Sequence, residues 1–178
     1  MDSLPGADFQ SPAWRDALDF KHRTVLETIR TNLNDVIVFS DLDVQFFAPF
    51  AQEIFTTIKG FDIAGMREAA DGDMNGGFYA IHCQSHVAEF WQRLVDAPGK
   101  CDQPLHDQEI LNAMLAEGVC GVSHTLLSEA LWCSHRHLLF NEPEPPGILV
   151  NHATGWGDKV EELRQIRSKY GMVQLSVH

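Results

Sequence analysis

Two aspartates, Asp41 and Asp43, directly follow the strongest candidate strand of the chain and could bind a cation together. The run before them, 36–39, is β-branched and aromatic, which is typical of a strand covered on both faces in a parallel sheet. Ligands of open α/β sheets bind at the carboxyl ends of strands. Two carboxylates one residue apart repel each other unless a cation lies between them, and Mg²⁺ or Mn²⁺ suits such ligands. The alternative is an acidic turn that caps a neighbouring helix.

Three further polar segments are candidates for the same site. Asn75-Gly76-Gly77 would ordinarily be a turn, but glycine also lets a ligand approach the backbone closely. Asp107 and Gln108 open a predicted helix, where an aspartate is favoured simply as an N-terminal residue. His152 follows the last predicted strand, and its imidazole could complete a metal shell with the two aspartates. A purely structural role is the alternative in each case.

The elements that must position these residues alternate between helix and strand, which predicts an α/β fold. Apolar periodicity predicts helices at 13–33, 50–58, 85–96, 107–117 and 158–170. Strands are predicted at 36–39, 61–64, 78–81, 119–122 and 148–150, and the segment 130–140 is ambiguous and could form an edge hairpin.

Composition narrows the choice of function. The 178 residues carry a formal charge of −12, which argues against a nucleic-acid partner because phosphate backbones require a basic face. A phosphorylated small substrate is still compatible, because a bound divalent cation reverses the sign of an acidic cleft. The opening residues lack the basic and apolar regions of a signal peptide, and no apolar run reaches membrane-spanning length. We therefore expect a soluble chain, and the sequence leaves its localisation open.

The four cysteines are irregularly spaced and are expected to be free thiols in or near the core. Cys133, His135 and His137 alternate, so on a strand they would share one face, as a zinc site requires. Ordinary strand polarity explains the same pattern, and no fourth ligand is evident.

The stretch from Val36 to Val44 resembles the Asp-x-Asp strand of GT-A-type glycosyltransferases. More closely, the chain resembles the nucleotide-diphospho-sugar transferase family that includes plant cell-wall xylosyl- and arabinosyltransferases, and it is more distantly similar to glycogenin-like transferases. Further segments of the resemblance occur in the same order, from Trp14 to about Lys159. They are Lys21, Asn75-Gly76-Gly77-Phe78-Tyr79, His106-Asp107-Gln108-Glu109-Ile110-Leu111-Asn112 and Asn151-His152-Ala153-Thr154-Gly155.

The resemblance implies a GT-A-like, mostly parallel sheet flanked by helices, in a single and partial glycosyltransferase-like domain that spans 1–178. Only one predicted helix precedes the Asp-x-Asp strand, whereas the family has several βα units there. We therefore expect the chain to lack the opening strands of the nucleotide-binding half. The alternative is a compact natural variant that builds this wall of the site differently, for example with the segment 130–140. An exposed sheet edge would favour self-association.

The implied activity is metal-dependent transfer of a sugar from a nucleotide-diphosphate donor to a hydroxyl group of a carbohydrate or protein acceptor, with retention of anomeric configuration. The implied cofactor is Mn²⁺ or Mg²⁺, with Asp41, Asp43 and His152 as ligands. The implied donor-binding residues are Lys21, Asp41, Asn75, Gly76, Gly77 and Lys159, and the implied catalytic residues are Asp107 and Gln108. The alternatives are a non-catalytic module that binds sugar nucleotides or carbohydrate, and a metal-dependent phosphohydrolase.

Overall fold

The computed structural model describes residues 12–68, 72–97, 107–133, 136, 143–153 and 159–170. Helices and strands alternate along these ranges, so the predicted α/β class is confirmed. The helices are α1 (Pro12–Thr31), α2 (Ala51–Thr57), α3 (Ser85–Asp96), α4 (Asp107–Ala116) and α5 (Lys159–Tyr170). The strands are β1 (Val36–Ser40), β2 (Val44–Phe46), β3 (Ile63–Arg67), β4 (Met74–His82), β5 (His124–Leu126), β6 (Leu131–Cys133) and β7 (Val150–His152).

The chain divides into two compact units, and the first comprises residues 1–37 and 82–123. Within it, α1 packs against α3, and α3 packs against α4. The buried face of α1 carries Val25, Leu26 and Ile29, whose spacing places them on one side of a helix. Phe90 and Trp91 of α3 are fully buried, so the core of this unit is a helix–helix interface.

The second unit comprises residues 38–81 and 124–178 and carries two sheets. The strand order is β1-β4-β3-β5 in one sheet and β2-β7-β6 in the other. Strand β4 is central and is buried along almost its whole length, which explains its apolar sequence after the glycines. In the three-stranded sheet, β7 lies between β2 and β6. Phe47, Trp132 and Ile148 form a small core against which Ile166 and Tyr170 of α5 pack.

The directions of the strands correct one expectation. Strand β3 pairs antiparallel with β4 and parallel with β5, while β7 pairs antiparallel with β2 and parallel with β6. Two mixed sheets therefore replace the mostly parallel sheet that the sequence predicts. The connection between β3 and β4 is short, and a parallel pairing would need a crossover of roughly a dozen residues or more.

Two element boundaries also differ from the prediction. The segment Asn75-Gly76-Gly77 lies within β4 rather than in a turn before it. The predicted strand at 119–122 is instead a 3₁₀ turn, Val119–Gly121, and the strand follows at β5. Gly118, Cys120 and Gly121 all have positive φ angles, which interrupts an extended backbone.

No helix in the described ranges is both long and apolar enough to cross a membrane. Of the four cysteines, Cys101 lies outside the described residues. Cys83 and Cys133 are buried and Cys120 is partly exposed, and these three form no disulfide, as expected from their irregular spacing.

Candidate metal centre

The acidic pair lies in the tight connection between β1 and β2. Strand β1 ends at Ser40, and the N–H of Asp41 donates to the carbonyl oxygen of Gly77 at 2.8 Å. Leu42 between the two aspartates is fully exposed. Both aspartates are only partly exposed. The backbone bond to β4 therefore fixes the start of this turn, and the apolar residue between the carboxylates contributes nothing to the core.

His152 reaches the acidic pair through the pairing of β7 with β2. The register places Val44 opposite His152, and the N–H of Ala153 donates to the carbonyl oxygen of Asp43 at 3.1 Å. The imidazole is buried, and its Nε2 lies 3.1 Å from Oδ1 of Asp43. The sequence separation of these two residues is 109, so only the strand register brings them together.

Three side chains, those of Asp41, Asp43 and His152, each offer a ligand atom, and these atoms all lie within 4.8 Å of one another. An octahedral cation with bonds of about 2.1 Å separates adjacent ligand atoms by about 3.0 Å and opposite ones by about 4.2 Å. The 3.1 Å between Nε2 of His152 and Oδ1 of Asp43 therefore fits two adjacent positions of such a shell. The donor set of two carboxylates and one imidazole suits a divalent metal ion.

The imidazole of His152 rests on Gly77. A Cβ atom at position 77 would lie 2.7 Å from both ring nitrogens and closer still to Cε1. The glycine does not need an unusual backbone conformation, because its φ angle is not in the left-handed region. The ring of His152 therefore requires that position 77 carries no side chain. The sequence had suggested instead that the missing side chain leaves room for a ligand.

Asn75 connects this centre to the rest of the sheet. Its Oδ1 accepts from the N–H of Gly77 at 2.9 Å and lies 2.7 Å from Nδ1 of His152. Its Nδ2 donates to Oε2 of Glu68. Cys133 also lies here, with Sγ 3.6 Å from Oε2 of Glu68. His135 and His137, the other two residues of the zinc hypothesis, lie outside the described residues.

Asp43 is held as a carboxylate by its neighbours. Burial alone would raise the pKa of Asp43, but the hydrogen bond from His152 and the ion pair with Lys159 outweigh burial and hold that pKa well below its usual range. Lys159 lies at the start of α5 with its side chain about half exposed. An ionised Asp43 is the form that a metal ion requires.

The first unit contains a second ionised carboxylate, Asp107, which opens α4. Its Oδ2 lies 3.3 Å from Nζ of Lys21 and 3.3 Å from Nε2 of His22. Burial would raise the pKa of Asp107, but the close contact with the His22 ring and the charge of Lys21 hold this pKa well below the usual range. Gln108 follows Asp107 on α4, and its carbonyl oxygen accepts from Asn112.

The structure thus groups the predicted residues by unit. Asp41, Asp43, Asn75, Gly77, His152 and Lys159 come together in the second unit, and Lys21 pairs with Asp107 in the first. Convergence of Asp107 and Gln108 with the acidic pair on one cleft stays a prediction. Sequence reasoning missed His22 and Glu68. His22 could have been found, because it lies on the same helical face as Leu26 and Ile29.

The comparisons with solved structures show the fold. A glycosyltransferase involved in the glycosylation of the major capsid of PBCV-1 superposes with a TM-score of 0.60 at 12% identity, covering 94% of this chain and 81% of that one. The glycosyltransferase GlyE of Streptococcus pneumoniae TIGR4 superposes with a TM-score of 0.61 at 18% identity. Its apo form gives 0.56 at 17%.

The two GlyE structures are matched over less than half of their own length, 42% and 46% respectively, by 84% and 83% of this chain. A comparison with curated proteins finds no significant match. The sequence itself, however, matches a family model over residues 6–163, which is most of the chain. The protein therefore belongs to the nucleotide-diphospho-sugar transferase family.

Proposed function

We propose that this chain transfers a sugar from a nucleotide-diphosphate donor to a hydroxyl acceptor, with the help of a divalent cation, Mn²⁺ or Mg²⁺. The observation that carries the proposal is the cluster of Asp41, Asp43 and His152, whose ligand atoms lie within 4.8 Å of one another in a member of the nucleotide-diphospho-sugar transferase family. Mixed oxygen and nitrogen ligands favour Mn²⁺, because Mg²⁺ prefers oxygen more strictly.

The two carboxylates and the imidazole would hold the cation, which supplies neutralisation of the negative charge on the departing nucleoside diphosphate. In this scheme Lys159 has two roles. It pairs with Asp43 when no donor is bound, and it turns its ammonium group to the diphosphate when the donor arrives. Its half-exposed side chain leaves it the freedom to do so.

Asp107 and Gln108 are proposed to face the reacting carbon of the donor sugar, as in the family that the chain resembles. The ion pair with Lys21 and the contact with His22 support this role, because they keep Asp107 ionised. Retention of anomeric configuration belongs to the same proposal. Lys21 would contribute to donor binding from the neighbouring position.

The donor-sugar contacts predicted for Asn75, Gly76 and Gly77 stay a proposal. In the structure, the amide group of Asn75 hydrogen-bonds to protein groups. Transfer to a hydroxyl group of a carbohydrate or protein acceptor and self-association through a sheet edge also stay predictions.

The test is to incubate the protein with Mn²⁺ and a panel of nucleotide sugars and to measure the nucleoside diphosphate that is released. Slow hydrolysis of one donor, dependent on Mn²⁺ and abolished in Asp43→Ala, is the expected result. The matched control is Asp35→Asn, which removes a carboxylate before β1 instead of after it and should leave the rate unchanged.

Other outcomes separate the alternatives. Mn²⁺-dependent binding of a nucleotide sugar without turnover would favour a non-catalytic module. Cleavage of simple phosphate esters, without preference for nucleotide sugars, would favour a phosphohydrolase. Mn²⁺ binding by calorimetry that is unchanged in Asp43→Ala would remove the basis of the proposal.

A further inference from the structure

The hydrogen bonds of Asn75 determine which way its amide group faces. Its Oδ1 lies 2.9 Å from the N–H of Gly77, which can only donate. Its Nδ2 donates to the carboxylate of Glu68, which accepts. The reversed amide would set two donors against each other at Gly77 and two acceptors against each other at Glu68. Both partners therefore require the same orientation.

The orientation of the amide in turn determines the proton on His152. Oδ1 of Asn75 lies 2.7 Å from Nδ1 of the imidazole, and an amide oxygen can only accept. Nδ1 must therefore carry a hydrogen. Without a metal ion, the opposite nitrogen, Nε2, hydrogen-bonds to Oδ1 of Asp43 at 3.1 Å. With a cation present, Nε2 is the atom that presents its lone pair to the shared ligand position.

Gly77 contacts three of these residues, namely Asn75, Asp41 and His152. Its N–H bonds to Asn75, its carbonyl oxygen accepts from the N–H of Asp41 at 2.8 Å, and its bare Cα leaves room for the ring of His152. One short stretch of β4 thereby fixes the backbone of one proposed metal ligand and the ring of another.

We propose that Asn75 is a positioning residue of the metal centre. Its amide oxygen holds a proton on Nδ1 of His152, so that Nε2 faces Asp41 and Asp43. Glu68 fixes the orientation of this amide by accepting a hydrogen bond from its Nδ2. This inference rests on the proposed function for its purpose, but the position of the proton can be measured without metal or donor. Partners that orient metal-binding histidines in this way typically change metal affinity about 10- to 100-fold when they are removed.

The first measurement is long-range ¹H–¹⁵N NMR of the metal-free protein, in which His152→Ala assigns the signals of that ring. We expect a protonated Nδ1 in the wild type and loss of this fixed proton in Asn75→Ala. Asn75→Asp keeps an oxygen towards the ring and should retain the proton. A wild-type ring protonated on Nε2 alone would overturn the proposal, whatever the enzyme does.

The second measurement is the affinity for Mn²⁺ alone, by calorimetry. Asn75→Ala should weaken binding about 10- to 100-fold, and Asn75→Asp should lie closer to the wild type. The matched control is Asn151→Ala. Asn151 is as buried as Asn75 and is the neighbour of His152 in β7, and the Asn151→Ala variant should bind Mn²⁺ like the wild type. Equal affinities of the wild type and Asn75→Ala would overturn the proposal. If the wild type itself does not bind Mn²⁺, the proposed function fails and the NMR result alone decides the role of Asn75.

Discussion

The replacement Gly77→Ala should disable the metal centre by displacing His152. The added Cβ would lie 2.7 Å from both ring nitrogens and closer still to Cε1, whereas carbon atoms in contact normally stay about 3.5–4.0 Å apart. The ring must therefore move by roughly 1 Å or more. Metal–ligand bonds tolerate deviations of only about 0.2 Å, so the bond from Nε2 would be lost.

Two quantities should change together in this variant. The affinity for Mn²⁺ should fall at least as far as in Asn75→Ala, about 10-fold or more, as measured by calorimetry. The free energy of unfolding should fall by about 1–3 kcal/mol, the usual cost of an overpacked core, as measured by urea denaturation. No backbone strain contributes, because Gly77 does not have a positive φ angle.

A matched control is Gly65→Ala in the neighbouring strand β3. A Cβ there would meet the side chain of Met74, with Cε at 3.0 Å and two further atoms closer. Methionine is flexible, and it is not part of the centre, so this variant should lose some stability and keep its affinity for Mn²⁺. In a His152→Ala background, Gly77→Ala should cost much less stability. Unchanged Mn²⁺ affinity in Gly77→Ala, or an equal stability cost with and without the imidazole, would refute the reasoning.

Three more outcomes are expected. Asp107 has a folded-state pKa below its unfolded value, so its stabilising contribution is present above an unfolded pKa of about 3.9 and is lost as the pH falls towards the folded pKa. Asp107→Asn should therefore lower the unfolding free energy at pH 7, and denaturation at pH 3 should show a smaller deficit; an equal deficit would contradict this. Lys159→Met should strengthen Mn²⁺ binding in the absence of nucleotide, because the ammonium group competes with the metal ion for Asp43. The same variant should weaken the binding of nucleoside diphosphate. In calorimetry, the control Lys169→Met on the same helix should change neither affinity. Uridine and guanosine diphosphate should bind the chain weakly, because only one helix, α1, precedes β1 in the described residues. Tight, base-selective binding would contradict this expectation.

Local patterns of the sequence located the elements well, but they overestimated the burial of β1. This strand stands at the end of the order β1-β4-β3-β5 and is only partly buried, with Val38 exposed, so it is not covered on both faces as the sequence predicts. The helix predicted at 13–33 is α1, and the strand predicted at 36–39 is β1. Both patterns depend on residues close in sequence, which share a face of the element. The same local reasoning placed Asp41 and Asp43 at the end of a strand, where the structure has them.

The errors occur where a distant residue decides the local structure. Asn75-Gly76-Gly77 has the composition of a turn, yet it lies in β4. The glycine at position 77 is explained by the ring of His152, which occupies the space that a side chain there would need. That ring arrives through the pairing of β2 with β7. No local pattern contains this register, so the partner of the glycine could not be predicted.

The backbone hydrogen bonds within the metal centre lower the entropic cost of binding a cation. Backbone hydrogen bonds already join its segments, from Asp41 to Gly77 and from Ala153 to Asp43. These bonds involve no side chain, so they persist whether or not a metal ion is bound. The entropy of bringing distant segments together is therefore offset by the sheets themselves. Binding a cation then requires the ordering of two carboxylates and one imidazole, and the imidazole is already fixed by Asn75.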